Sequence, residues 1–214
     1  MAPFVSGFAM RRSIIVILVA LVILVAAFGF PGEEKDYSDL SDFEVATFAG
    51  GCFWCMESAF EAVDGVVEAV SGYTGGTVAN PTYQQVTMGN TGHLEAVQVY
   101  YDPDIVSYSE LVDVFWRNID PTDAGGQFVD RGSQYATAIF YHDESQMVLA
   151  GASRDALELS DRFDEPIVTG IIEFSVFYEA EEYHQDYYKK HVLNYELYSS
   201  GSGRNEFIEE HWEE

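Results

Sequence analysis

Cysteine is nearly missing from this sequence: 214 residues include 2, Cys52 and Cys55. The chain also holds five histidines, yet there is no second cysteine pair, and His184 and His191 are seven positions apart. Structural zinc wants four ligands from such pairs, so no metal site is read. Positive charge is scarce as well. Ten Lys and Arg face 36 Asp and Glu, a formal net charge of −26. No basic patch exists to neutralise phosphates, which excludes a nucleic-acid binder that tracks the backbone. Internal repeats and low-complexity tracts are lacking too. The acidic residues are scattered rather than blocked, as on a solvated surface over an apolar core. Carboxylates this dense repel one another in dilute buffer and are screened in concentrated salt. Adaptation to high salt is one reading of this, an ordinary acidic protein the other.

What is present is a core. Hydrophobic residues make up 48% of the chain and aromatics 15%, which argues against disorder and for one domain of ordinary size. The first 30 residues stand apart from it. Arg11 and Arg12 precede an uncharged run from Ile14 to Phe30, seventeen residues long. That is the lower limit for a membrane-spanning helix and long for a signal-peptide core. The arginines keep the N-terminus in the cytoplasm, so the domain faces outward. Cleavage after Ala27-Phe28-Gly29 is the competing reading, with a secreted product, and Met10 is a second candidate start. Residues 31–43 form an acidic linker, 44–198 the catalytic domain and 199–214 a polar tail.

The domain is organised around Glu44 to Glu57. Val45 to Phe48 suits a short buried strand. Gly50-Gly51 allows a sharp turn. Apolar residues at helical spacing then run from Phe53 to Val63. Cys52 falls at the helix start, where free N–H groups and the positive helix end favour a thiolate, the nucleophilic form of the residue. One helical turn puts the Cα atoms of Cys52 and Cys55 about 5–6 Å apart, within disulfide range. The plain alternative is two small buried hydrophobes.

Further along, Gly65–Tyr73 reads as a strand, and Leu94–Tyr101 alternates with a period of two. Ser107 and Glu110 form a capping box for a helix to Asn118. Asp120 to Gly132 reads as a long loop, of a length that is usually functional. Tyr135–Tyr141 is expected as a strand, Glu144–Leu159 as a helix, Ile167–Phe177 as a strand and Ala180–Lys190 as a helix. This order implies an α+β fold, a single mixed sheet with packed helices.

Three further clusters could carry chemistry. Glu95 opens the strand after Gly89-Asn90-Thr91-Gly92-His93. Residue statistics place it at the surface, but if buried it would stay protonated and act as an acid. Asp130 to Tyr135 closes the long loop, and its plain reading is an Asp–Arg surface pair. Tyr183 to Tyr188 is aromatic-rich and reads as core packing.

Gly51-Cys52-Phe53-Trp54, followed by Glu57, resembles the signature of the A-type peptide methionine sulfoxide reductases. The resemblance continues through Gly72 to Gly76, Asn80 to Tyr83, Thr91 to Val97, Arg131 to Tyr135 and Ala180 to Gln185, all in order. It implies an α/β plait-like α+β domain with no metal or organic cofactor, acting on methionine-S-sulfoxide in oxidised proteins or as the free amino acid. Cys52 is then the nucleophile. Phe53 and Trp54 wall the substrate methyl group. Glu95, with Tyr83 and Tyr135, holds the sulfoxide oxygen, and Glu95 supplies the proton. Asp130 supports the site near Tyr135. The chain departs from the pattern in having Cys55 where many members have Gly, and no cysteine in its tail. Regeneration therefore falls to Cys55, with a thioredoxin-like thiol as the external reductant and a monomer as the working unit. The competing functions are a thioredoxin-like disulfide oxidoreductase, from the Cys-x-x-Cys at a helix start, and an anchored aromatic binding module.

Overall fold

The computed structural model describes residues 37–212. The apolar run from Ile14 to Phe30, with its anchor or signal reading, lies outside the described residues. From Leu40 on, the chain forms one compact unit. Among the described residues no helix is long and apolar enough to cross a membrane.

After a short 3-10 turn at Tyr37–Asp42, strand β1 (Glu44–Gly50) leads into helix α1 (Phe53–Glu61), then β2 (Val66–Thr74), α2 (Tyr83–Thr87), β3 (Leu94–Tyr101) and α3 (Tyr108–Arg117). A two-stranded ribbon follows, β4 (Gly126–Gln127) and β5 (Asp130–Arg131), then β6 (Thr137–Tyr141) and α4 (Glu144–Glu158). The chain continues with β7 (Gly170–Glu173), β8 (Phe177–Glu179), α5 (Tyr187–Lys190), α6 (Val192–Gly201) and α7 (Arg204–Trp212). Six strands form one mixed sheet in the order β7-β6-β1-β3-β2-β8. Its pairs are antiparallel except β6 with β7. The inner four strands with α1 and α3 form the β-α-β-β-α-β plait, which bears out the α+β, mixed-sheet expectation.

Strand alternation sorts the sheet into two faces. On one, Ala46, Phe48, Val97, Val99 and Ile139 meet Met56 and Phe60 of α1 and Leu111, Val112 and Phe115 of α3. The Phe48 ring stacks on Phe60 at 4.8 Å and on Phe115 at 5.3 Å. Each buried phenylalanine adds about 1.5–3 kcal/mol to the fold. The other face carries the small side chains Ala49, Ala96 and Ala138 beside Phe140, and Phe174 and Phe177 pack against them. The expected strand Ile167–Phe177 is thus two strands on opposite edges of the sheet. The chain between them is seated on this alanine floor.

Several other elements differ from the sequence reading. The loop Asp120 to Gly132 contains the β4–β5 ribbon. Only Tyr187–Lys190 of the expected helix Ala180–Lys190 is helical. The buried Gln185 amide captures the backbone there, accepting from Ser71 N–H and donating to the carbonyls of Ser71 and Ala180, all at 2.9 Å. Asp186 then adopts a left-handed conformation with φ of 53°. The stretch read as a polar tail is helical to Trp212, and Arg204 within it is buried.

Candidate active site

Cys52 is the N-cap of α1, and Gly51 before it has φ of +81°. A Cβ at Gly51 would come within 2.6 Å of Gln127 Cβ, so the turn that delivers Cys52 admits only glycine. Glu95 is buried at 2% exposure, on the core face of β3 with Val97 and Val99. Its carboxyl accepts from the Phe53 backbone N–H at 3.2 Å. The surface reading of Glu95 is therefore overturned: the acid is built into the end of the core. Burial raises its pKa to about 8 against that hydrogen bond, and the charges of Asp130 and Cys55 add to the rise. At neutral pH Glu95 holds its proton.

Cys52, Phe53, Trp54, Tyr83, Glu95, Asp130, Tyr135 and Tyr198 line one open cavity of about 160 Å³. Seven of these eight were legible as motif residues; Tyr198 was not. Tyr83 enters from the first turn of α2, which Thr82 and Gln85 close with a reciprocal capping box, and its N–H donates to Glu181 at 2.9 Å. Tyr135 ends a 3-10 turn at Ser133–Tyr135. Burial raises the Tyr83 hydroxyl to about 12 and raises Tyr135 further, with the Glu95 charge assisting in both. Both therefore remain neutral donors.

The aromatic wall is braced from behind. Trp54 stacks face to face on Tyr187 at 3.8 Å, and its Nε1 donates to His184 Nδ1 at 3.2 Å. His184 is buried against Phe53 and Tyr83, with ring centroids 4.9 and 4.4 Å away. Burial lowers its pKa to about 4 against the nearby Glu181, so the imidazole is neutral with its proton on Nε2. The Tyr183 to Tyr188 cluster, read as core packing, thus supports the site directly.

The two cysteines are free and buried, and their order of acidity reverses the sequence expectation. Burial raises Cys52, and the neighbouring Cys55 and Glu95 add to the effect. Cys55 is lowered to about 7 by the hydrogen bond from the Cys52 thiol, with burial opposing and Arg204 assisting. The physical reason is first of all burial, and as N-cap the Cys52 side chain makes no hydrogen bond to the helix-end N–H groups that would offset it. With Cys55 the more acidic of the two thiols, passage of the Cys52 proton to Cys55 leaves the thiolate on Cys52.

The C-terminal helices supply groups the sequence did not mark. The Tyr198 hydroxyl donates to Asp130 and is within hydrogen-bonding reach of Cys52. Asp130, raised by burial and held back by that bond and by Arg204, faces the cavity from β5. Tyr198 is the last residue of the stretch read as the catalytic domain and Arg204 lies in the one read as a polar tail, and neither carried a signal beyond its residue type. Glu57, Glu61 and Asp186 also bring carboxylates together. Lys189 pairs with Glu61 and with Asp186, the latter at 2.9 Å, and the Asp186 N–H donates to Glu57 at 2.9 Å. This is an internal ion-pair network, and no ion is assigned to it.

A buried dithiol facing a protonated carboxyl and two phenols defines a thiol-based oxidoreductase site whose substrate carries a small apolar group and an acceptor oxygen. The family model for peptide methionine sulfoxide reductase matches residues 44–214. A peptide methionine sulfoxide reductase MsrA of Bacillus subtilis is 56% identical over 169 residues, covering 79% of this chain and 96% of the relative. Among solved structures, Mxr1 of Saccharomyces cerevisiae in reduced form matches with a TM-score of 0.68 at 30% identity, over 75% of this chain and 91% of that one. Methionine sulfoxide reductase A of Corynebacterium diphtheriae matches with a TM-score of 0.64 at 30% identity, over 73% and 81%. The yeast protein has also been solved in complex with Trx2. The chain belongs to the peptide methionine sulfoxide reductase family. It is an oxidoreductase of that family rather than a thioredoxin-like disulfide exchanger or a passive binding module.

Proposed function

We propose that the chain reduces the S epimer of methionine sulfoxide, protein-bound or free, with Cys52 as nucleophile and Cys55 as resolving thiol. The observation that carries the reading is the buried Glu95, protonated at neutrality and joined to the turn that presents Cys52. A sulfoxide oxygen leaves sulfur only if it is protonated, so an acid beside a thiol nucleophile is what the reaction needs. Phe53 and Trp54 receive the methyl group, while Tyr83, Tyr135 and Glu95 donate to the oxygen. The Cys52 thiolate attacks the substrate sulfur and Glu95 gives its proton to the oxygen. The substrate S–O bond breaks, the protonated oxygen passes to the Cys52 sulfur as a sulfenic acid, and methionine departs with the electron pair as the thioether. Cys55 then attacks the Cys52 sulfur, expelling hydroxide, which takes a proton to become water. An external dithiol reduces the resulting Cys52–Cys55 disulfide. A thioredoxin-like protein suits that step, in keeping with the Trx2 complex of the yeast relative.

Purified protein with dithiothreitol should consume the S epimer of a methionine sulfoxide peptide and leave the R epimer untouched. Absence of turnover with either epimer overturns the reading.

The proposal extends to location. Arg11-Arg12 ahead of the uncharged run from Ile14 to Phe30 supports an N-terminal anchor with the domain outside the cytoplasm, or a secreted domain if the segment is cleaved. Recovery of the intact chain in the soluble cytosolic fraction would overturn this. The working unit is taken as a monomer, because one chain supplies all the cavity residues.

A further inference from the structure

Arg204, the first residue of α7, is buried at 4% exposure beneath the Cys52–Cys55 turn. One guanidinium nitrogen, Nη2, donates to the Gly50 carbonyl at 3.0 Å. The other, Nη1, donates to the Asn118 carbonyl and lies 3.6 Å from Met56 Sδ. The guanidinium also stacks over Phe128, 4.8 Å from the ring centre. Its contacts thus bracket the turn, with Gly50 two residues before Cys52 and Met56 one residue after Cys55. All its hydrogen-bond acceptors are neutral. A buried cation without an ion-pair partner is costly unless nearby anions compensate it.

The groups that can supply negative charge here are few. The titratable and charged groups facing Cys55 are Cys52 in the same turn, Asp130 on β5, Tyr195 and Tyr198 on α6 and Glu95 on β3, with Arg204 on α7 as the cation. Glu95 is neutral at pH 7, and the two tyrosines are raised by burial. Asp130 and the thiol pair remain as the charges Arg204 can meet.

We infer that Arg204 is a positioning residue for the resolving step: from beneath the turn it fixes the Gly50 carbonyl and supplies the positive charge that holds Cys55 as a thiolate for attack on oxidised Cys52. This rests on the proposed Cys52–Cys55 chemistry. The step balances within the chain. The Cys55 thiolate and the Cys52 sulfenic acid become the disulfide and hydroxide, with no further oxidant or reductant. Its rate follows the fraction of Cys55 present as thiolate.

The test separates the two half-reactions in one sample. Reduced enzyme is mixed with one equivalent of methionine-S-sulfoxide, then acid-quenched over time and across pH 5.5 to 9.5. Methionine is measured by chromatography and the Cys52–Cys55 disulfide by mass spectrometry. Arg204→Gln keeps donors for the carbonyls and removes the charge; Arg204→Lys keeps the charge. A thermal melt confirms folding, and Arg204→Met replaces the Gln variant if that one does not fold. In the neutral variant, disulfide formation should slow roughly tenfold at pH 7 and recover as pH rises to 9, and methionine release, which passes the Cys52 proton to the same Cys55 thiolate, should shift its pH profile in the same direction. Arg204→Lys should keep a profile close to wild type. The inference is overturned if disulfide formation keeps the wild-type pH profile, whether or not it slows, or if Lys behaves like Gln. Wild type that releases no methionine would instead overturn the proposed function itself.

Discussion

The backbone N–H of Phe53 donates to the Glu95 carboxyl across 3.2 Å. This bond joins the start of β3 to the start of α1, so the Glu95 carboxyl and Cys52 are held by adjoining elements of the plait. The Cys52 side chain itself makes no cap hydrogen bond to α1, so the helix end does not offset the burial of its thiol. The fold thus places a proton donor beside Cys52 and leaves the thiolate charge to Cys55.

Glu95→Gln should fold and bind substrate but slow methionine release by roughly 10²–10⁴, because the amide donates a hydrogen bond yet has no proton to give. Wild-type single-turnover rates should fall as pH rises through about 8, where Glu95 ionises. They should rise through about 7, where the cysteine pair loses its first proton. Near-normal release by the Gln variant, measured by rapid quench, would remove Glu95 from the chemistry.

The same residue predicts a pH effect on stability. Burial lifts Glu95 from 4.5 unfolded to about 8 folded. Between these values the folded state binds one more proton than the unfolded, so stability falls as pH rises. Glu95→Gln removes that penalty. Its unfolding free energy relative to wild type should improve by about 3–5 kcal/mol between pH 4 and pH 9. Urea melts at a series of pH values check this, and parallel curves for the two proteins would contradict it.

How far the sequence reached depended on the range of the interactions. Leu94–Tyr101 and the Ser107–Glu110 box were legible with their boundaries, because alternation and capping are local. The motif residues of the cavity were legible through spacing and resemblance. Ile167–Phe177 misled, because an apolar run does not reveal that the chain crosses an alanine floor between two sheet edges. Ala180–Lys190 misled because one buried amide, Gln185, overrides helical composition through bonds to Ser71, 114 positions away. Tyr198 and Arg204 were invisible for the same reason. Their partners Asp130 and Gly50 lie 68 and 154 positions away, and nothing periodic marks them.

Tyr198→Phe should destabilise the protein at pH 7 by about 1–2 kcal/mol, since the half-buried Asp130 carboxylate loses its hydroxyl donor. Burial already raises Asp130, and removing the bond raises it further. The deficit should shrink on acidification, once the carboxyl is protonated and the charge is gone. A urea melt of the Phe variant that overlays wild type at pH 7 would show that the bond contributes nothing.

Cys55→Ser tests the regeneration step. Among the chain's 2 cysteines, Cys55 alone can resolve a sulfenic acid on Cys52 within the molecule. The Cys55 N–H donates to the Cys52 carbonyl at 3.2 Å, so the two residues share the first turn of α1. Their Cα atoms are then about 5–6 Å apart, a span a disulfide bridges. Forming the bond strains that turn and makes it easier to reduce, which suits a recycling disulfide. Loss of Cys55 also removes the group that takes the Cys52 proton, so the first step should slow without stopping. The Ser variant should therefore release about one methionine per enzyme, more slowly than wild type, and then stall with a thioredoxin-type reductant. Small thiols, which reach the Cys52 sulfenic acid directly, should restore part of the turnover. Mass spectrometry of substrate-oxidised wild type should find Cys52 joined to Cys55. A full steady-state rate for the Ser variant with the protein reductant would refute the resolving role and leave the methionine sulfoxide chemistry of Cys52 standing.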